Sequence, residues 1–227
     1  MQEYHGSVLL KEALGALNIR DAWYIDCTLG DGGHTIEIIK REGKVVGIDV
    51  DPQALGRVQK RLKELGYLGI LGKRVKLIQG NFRDLKNLIS QTALADQKFA
   101  GAIFDLGVSS LQLESPERGF SFGRVGPLDM RMDLSLQVKA LDLINLLNER
   151  QLDELFSKLG EEKYSRSLAK ALVLARQIKP FDSTRQLTEL AERVVGRRGK
   201  IHPATRIFQA LRIAVNDELN ALKEGLD

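Results

Sequence analysis

The chain has 227 residues, of which 43% are hydrophobic and 28% are charged, and its formal net charge is +4. This length can bury one hydrophobic core, or one core with a smaller second unit, and the composition excludes a disordered or collagen-like chain. The single cysteine, Cys27, excludes an internal disulfide and a thiolate-rich metal site, and we expect no metal.

No apolar run approaches the ~20 residues that a membrane-spanning helix needs. Residues 1–14 also lack the basic and apolar regions of a signal peptide. We therefore expect a cytoplasmic protein that makes no contact with a membrane.

Short β-branched runs alternate with helical patterns in the first 106 residues. Strands are predicted at Trp23–Thr28, Lys44–Asp49, Val75–Gln79 and Phe99–Leu106. Helices are predicted between them at His34–Arg41, Pro52–Leu65 and Leu85–Leu94, and Asp51 with Pro52 is a good helix start. This alternation predicts βαβ units and a parallel sheet covered on both faces.

The pattern changes after about residue 107. The segment Ser109–Asp133 is rich in Gly, Ser, Pro and Arg, and we expect an ordered loop there. Only helical patterns follow, at Ala140–Asn148, Gln151–Leu159, Ser165–Gln177, Arg185–Val195 and Ala204–Lys223.

A doubly wound sheet that stops at its fourth strand exposes the hydrophobic edge around Ile103 and Phe104. Either a second chain covers that edge, as in a homodimer, or the polypeptide is incomplete. We favour an incomplete polypeptide.

The glycine-rich run from Asp26 to His34 follows the first strand and opens a helix. Gly30 and Gly32 fit a dinucleotide fingerprint, but its third glycine position holds Thr35, and no P-loop lysine follows. Adenosylmethionine has no phosphate, so a site that binds it has less need of the third glycine. Its carboxylate can bind the free N–H groups at the helix start, although a glycine-rich turn without a ligand is the alternative.

The ends of the next three strands extend this pattern. Asp49 lies 19 residues after Gly30, where an acid hydrogen-bonds ribose hydroxyls in nucleoside-binding sheets. Phe82 would lie against adenine, or simply belong to the core. Asp105 ends the fourth strand, where amino-methyltransferases place an Asp or Asn that orients the amine, although the usual Pro-Pro-aromatic continuation is absent.

At these residues the chain resembles the RsmH (MraW) family, the 16S rRNA cytosine-N4 methyltransferases. The matching blocks are residues 5–10, 30–35, 48–52, 105–110, 117–122, 126–133 and 202–216. The run Arg118-Gly-Phe-Ser-Phe122, followed by residues 126–133, is long and unusual, which makes a chance match improbable.

The resemblance implies a class I methyltransferase (Rossmann-like) α/β fold with an inserted all-helical domain. The adenosylmethionine-binding domain would comprise 1–110 and 214–227, and the inserted substrate-recognition domain 111–213. The family continues past this point with further strands, which again predicts an incomplete chain. The implied cofactor contacts are Gly32, Gly33, His34, Asp49, Phe82, Asp105 and Gln112.

The predicted activity is N4-methylation of a cytidine in 16S rRNA of the small ribosomal subunit, with Asp105 orienting the amine. The predicted substrate contacts are Arg118, Phe120, Phe122, Arg131 and Arg206, which belong to the loop and to an acid-free basic run between Arg193 and Arg212. Phe120 and Phe122 either stack on a splayed base or anchor the loop in a core. Asp129 and Asp133 are expected to pair with arginines.

Three alternatives remain open: a non-catalytic nucleotide- or RNA-binding module, a truncated inactive fragment, and a methyltransferase that acts on a small molecule. Preference for adenosylmethionine over NAD and ATP would exclude the first.

Overall fold

The computed structural model describes residues 9–196 and 201–227. Residues 5–8 of the first family block, and Arg197, Arg198 and Lys200 of the basic run, lie outside the described residues. The chain divides into two compact units, one formed by 1–109 with 220–227 and the other by 110–219.

The first unit is built on a four-stranded sheet in the order β3-β2-β1-β4. Every pair in it is parallel, and β4 has an irregularity opposite Trp23 and Tyr24. The strands are β1 (Trp23–Asp26), β2 (Lys44–Asp49), β3 (Val75–Gln79) and β4 (Phe99–Ile103). The predicted parallel α/β sheet is therefore confirmed.

Helices cover both faces of this sheet because alternate strand residues point to opposite sides. They are α1 (Leu10–Leu17), α2 (Gly33–Lys40), α3 (Pro52–Glu64) and α4 (Leu85–Ser90). Tyr24 and Val45 pack against Leu14, Ile36 and Val58 on one face. Trp23, Ile25, Val46 and Ile48 pack against Ile89 on the other face. The sequence pattern missed α1.

Two strands end earlier than predicted. The β1 ladder stops at Asp26 and the β4 ladder at Ile103, so that Thr28 and Asp105 belong to the connecting loops. The reason is a change of hydrogen-bond partner: the Asp105 N–H donates to the Thr28 hydroxyl, 2.7 Å away, instead of to a strand carbonyl. The predicted cap of α3 is confirmed, since the Asp51 carboxylate accepts the Gln53 N–H at 3.0 Å.

The second unit is helical. Its helices are α5 (Ser110–Glu114), α6 (Ala140–Leu146), α7 (Glu149–Gly160), α8 (Ser165–Ile178), α9 (Thr184–Val195) and α10 (Pro203–Asn216). Leu152, Phe156, Leu168, Leu172 and Ile207 are fully buried in it. The predicted loop 109–133 thus contains a short helix, α5, that its composition did not indicate.

The last predicted helix is two helices. α10 ends at Asn216, and α11 (Glu218–Leu226) follows after Asp217, whose φ of 50° is left-handed. The Asn216 side chain joins this break to the loop before α6: it accepts the Met132 N–H at 2.7 Å and donates to the Met130 carbonyl at 2.8 Å. No helix among the described residues is long and apolar enough to cross a membrane.

Candidate cofactor site

The glycine-rich loop between β1 and α2 makes two left-handed steps. Gly30 has a φ of 48° and Gly32 a φ of 71°, values that glycine adopts with little strain. The Gly30 N–H donates to the Asp49 carboxylate at 2.8 Å, and the Gly32 N–H donates to the Leu29 carbonyl at 2.7 Å. The loop is therefore held against the carboxyl end of β2.

The two glycines face different surroundings. A methyl group on Gly32 would lie 2.7 Å from Val58 Cγ2, so that Gly32 allows the loop to pack closely on α3. A methyl group on Gly30 would meet only the Thr28 carbonyl oxygen, 3.9 Å away. Gly30 therefore borders open space at the sheet edge, and a ligand there could approach the backbone.

Asp49 lies at the end of β2 and accepts two backbone N–H groups. Gly30 donates to Oδ2 at 2.8 Å and Asp51 donates to Oδ1 at 2.9 Å. Burial raises the pKa of the Asp49 carboxyl to about 6, although both hydrogen bonds act in the opposite direction. Each carboxylate oxygen keeps a further lone pair, so that Asp49 can still accept hydroxyl donors.

Phe82 follows β3 and is half-buried. Its ring makes an edge-to-face contact with Phe104, which follows β4, at a centroid distance of 5.5 Å. Gly225 of α11 approaches the same residue so closely that a Cβ would lie 2.8 Å from the Phe82 carbonyl oxygen. Phe82 is thus fixed from two sides at the end of the sheet where Asp49 lies.

Asp105 follows β4 and has the most exposed side chain of these acids, at 41%. Its backbone is fixed by the bond to Thr28, while its carboxylate lies 3.9 Å from Nδ1 of the buried His34. Nε2 of His34 is buried and has no hydrogen-bond partner within the described parts of the chain. An exposed acid on a fixed backbone is suited to receive an incoming group.

Asp26, the last residue of β1, was not among the predicted site residues. It is 1% exposed and accepts the Thr35 hydroxyl at 2.7 Å. Burial raises the pKa of its carboxyl, and the Thr35 bond partly offsets that rise. The signal in the sequence was its position near a strand end. The predicted strand ran on to Thr28, however, so the sequence did not show that Asp26 is the last residue of β1.

The structure brings six predicted residues to one end of the sheet in the first unit: Gly32, Gly33, His34, Asp49, Phe82 and Asp105. The remaining predicted residues belong to the second unit, namely Gln112, Arg118, Phe120, Phe122, Arg131 and Arg206. Gln112 is buried in α5.

Arginines of the second unit are mostly engaged in internal bonds. Arg118 is buried and donates to the carbonyls of Arg131 and Met132. Arg131 forms a two-pronged bond with the Asp129 carboxylate at 2.7 and 2.9 Å, as expected for these residues. That pairing lowers the pKa of Asp129 against the effect of burial.

The two loop phenylalanines pack internally. Phe120 is 5% exposed, with the Arg118 guanidinium 5.9 Å from its ring centroid. Phe122 stacks on His202 at 4.6 Å and contacts Phe208 edge-on. These contacts favour the interpretation in which the loop is anchored in a core. The described residues also hold no group of His, Cys, Asp and Glu suited to a metal ion.

A parallel α/β sheet that brings a glycine-rich loop, Asp49 and the exposed Asp105 to its strand ends is typical of nucleoside-binding α/β proteins. Residues 2–227 match the MraW methylase family, and the chain belongs to that family. It is a methyltransferase, and its cofactor is adenosylmethionine. The open space beside Gly30 and the unpartnered His34 Nε2 fit such a ligand.

Two relatives are named ribosomal RNA small subunit methyltransferase H. That of Carboxydothermus hydrogenoformans is 44% identical over 100% of this chain and 71% of its own length. That of Halothermothrix orenii is 42% identical over 98% of this chain and 71% of its own length. A solved rRNA methylase from Streptococcus thermophilus is 24% identical over 38% of this chain and 46% of its own, with a TM-score of 0.30.

Proposed function

We propose that this chain methylates N4 of a cytidine in 16S rRNA of the small ribosomal subunit. The names of the two relatives support the small-subunit substrate. The position of Asp105 is the observation that supports an amine as the methyl acceptor. Its exposed carboxylate stands on a fixed backbone, among the strand ends where Gly30, Asp49 and Phe82 lie.

In this proposal the first unit, 1–109 with 220–227, binds the cofactor. The N–H groups at the start of α2, at Gly33 and His34, face the methionine carboxylate, since a helix N-terminus attracts anions. Asp49 accepts the ribose hydroxyls through its remaining lone pairs, and Phe82 lies against adenine. Gln112 is a further cofactor contact that is expected only from the resemblance to the family.

Bound adenosylmethionine supplies an electrophilic methyl group on its sulfonium. The cytosine amine is conjugated with its ring and is a poor nucleophile, so that alignment is the main task of the protein. Asp105 accepts a hydrogen bond from the amine and directs its lone pair toward that methyl. A strong base is not required, because the amine proton becomes acidic once the nitrogen is methylated.

The second unit is proposed to recognise RNA. Arg206 is half-buried and follows the start of α10, and we propose that its guanidinium binds a phosphate. Arg118, Arg131, Phe120 and Phe122 are proposed to shape the recognition loop through their internal contacts. Any of them that also contacts RNA must first exchange those contacts.

The test uses labelled adenosylmethionine and small ribosomal subunits that lack the modification. Wild-type protein should label 16S rRNA, and nucleoside mass spectrometry should identify N4-methylcytidine. Asp105→Ala, which removes the accepting oxygens, should lower kcat at least about a hundredfold with little change in cofactor affinity. Asp49→Ala should mainly weaken cofactor binding. Normal binding and methyl transfer in both variants would refute this site.

The same experiment decides between the alternatives. Cofactor binding without labelling of any RNA would favour a binding module or an inactive fragment, and labelling of small molecules alone would favour a different substrate class. A ribosomal substrate also implies a cytoplasmic location. Pairing of the β4 edge in a homodimer is a separate expectation, which sedimentation analysis tests.

A further inference from the structure

A residue of the glycine-rich loop forms a buried ion pair that the glycine pattern did not predict. Asp31 lies between Gly30 and Gly32, and its carboxylate is 2.9 Å from Nη2 of Arg57 in α3. The two side chains are only 11% and 16% exposed, respectively. Arg61, one helical turn further along α3, donates to the Asp31 carbonyl at 2.8 Å. The two arginines therefore hold both ends of one loop residue.

The two side chains are joined by one contact, between Nη2 and Oδ1, and not by the two parallel bonds that a guanidinium and a carboxylate can form. Oδ2 of Asp31 and Nε of Arg57 are buried, and neither atom has a hydrogen-bond partner among residues 9–196 and 201–227. A carboxylate this far from water requires a compensating charge, and its partner becomes an uncompensated buried cation if the acid is removed. Arg57 therefore compensates the buried charge of the Asp31 carboxylate.

That charge lies close to the proposed carboxylate-binding helix start. Asp31 precedes Gly33, the first residue of α2, by two positions, and consecutive Cα atoms are ~3.8 Å apart. An isolated carboxylate at Asp31 would repel an anion at the α2 N–H groups at a distance too short for effective screening by salt. With Arg57 in place, the charge of the Asp31 carboxylate is compensated and the helix N-terminus keeps its attraction for an anion.

We infer that Arg57 is a positioning residue that neutralises Asp31 and so allows the loop to accept the carboxylate of the cofactor's methionine moiety. The inference rests on the proposed placement of adenosylmethionine and adds a basis for selecting carboxylate-bearing ligands. Arg57 reaches the ligand through Asp31 and does not contact it.

The test is calorimetric, at pH 8, with adenosylmethionine and decarboxylated adenosylmethionine, which lacks only the carboxylate. Arg57→Gln should raise Kd for adenosylmethionine about tenfold and leave Kd for the decarboxylated ligand nearly unchanged. The double variant Asp31→Asn with Arg57→Gln removes both charges and should restore the wild-type ratio of the two Kd values. Arg41→Gln, an exposed arginine of the same unit, should leave the ratio unchanged.

Asp31→Asn alone gives an independent arm should Arg57→Gln fold poorly, as circular dichroism would show. It leaves Arg57 uncompensated, and the ratio should then shift in favour of the carboxylate-bearing ligand. An unchanged ratio in the single variants, with equal losses for both ligands, would overturn the inference and leave Arg57 a purely structural role. Failure of the wild-type protein to bind either ligand would instead refute the proposed function.

Discussion

At the scale of single residues, the two left-handed glycines of the loop should respond differently to the same methyl group. Gly30→Ala places it in open space and costs about 1 kcal/mol for the left-handed backbone, but it should weaken adenosylmethionine binding at least about tenfold. Gly32→Ala forces it against Val58 and should cost about 2–3 kcal/mol in unfolding free energy.

Urea unfolding and calorimetry on the same two variants separate these effects, and each variant is the control of the other. Unimpaired cofactor binding by the Gly30 variant would mean that the ligand does not approach the loop at this glycine.

Asp49 predicts a pH dependence of cofactor binding. Burial raises its pKa to about 6 in the free protein, and only the ionised carboxyl can accept ribose hydroxyls while retaining both backbone N–H bonds. Protonation therefore competes with binding, and Kd should rise as the pH falls through 6. At pH 5 the carboxyl is about nine-tenths protonated, which corresponds to about tenfold weaker binding.

Calorimetry between pH 5 and 7.5 measures this dependence. Asp49→Asn should bind more weakly than wild type at pH 7.5 and should lose the titration near pH 6. A wild-type Kd that stays constant over the range would show that Asp49 does not bind the cofactor as a carboxylate.

At the scale of elements, strands were predicted more accurately than helix ends. The bounds of β2 and β3 agree with their β-branched runs, because each run ends at a polar residue, Asp49 in β2 and Gln79 in β3. The ends of β1 and β4 depend on the bond from Asp105 to the Thr28 hydroxyl, which joins residues 77 positions apart. The residues next to each strand end do not predict a bond over such a distance along the chain.

The candidate site was predictable to a similar degree. Glycine and acid positions at strand ends follow from parallel topology, because the carboxyl ends of such strands meet at one edge. The Asp31–Arg57 pair could not be foreseen, since it depends on which face of α3 packs against the loop.

The two ends of α7 differ in what the sequence shows. The start has a capping box that the prediction missed, and the left-handed cap at the end is a glutamate. Asn148 and Gln151 form a reciprocal capping box that places the helix start at Glu149, two residues before the predicted start. At the other end, Glu161 takes the left-handed cap position with a φ of 50°, where glycine is usual. The glycine of this segment, Gly160, is the last helical residue and lies one position before the left-handed cap.

Glu161→Gly should therefore stabilise the protein by about 0.5–1 kcal/mol, because relief of left-handed strain exceeds the added entropy of the unfolded chain. Urea denaturation followed by circular dichroism measures the change. Glu161→Gln removes the charge but keeps the left-handed strain, and it should therefore have a much smaller effect on stability. Equal stabilisation by both variants would assign the gain to charge at the helix end.

At the scale of the whole molecule, the proposal assigns cofactor binding to one unit and RNA recognition to the other. The chain contains one tryptophan, Trp23, which is buried in β1, so that its fluorescence reports on the first unit alone. Far-UV circular dichroism is dominated by helix, and most helical residues belong to the second unit. Trp23 fluorescence thus reports on the first unit, whereas the dichroism reports on both units and mainly on the second.

Adenosylmethionine at 100 times its Kd should stabilise the unit that binds it by about 2.7 kcal/mol. The unfolding midpoint measured by Trp23 fluorescence should rise accordingly, and the dichroism midpoint should rise with it only if both units unfold in one transition. ATP at the same concentration is the control for a general nucleotide effect. A dichroism midpoint that rises while the Trp23 midpoint stays fixed would place the cofactor outside the sheet, because mass action stabilises only the part of the molecule to which the ligand binds.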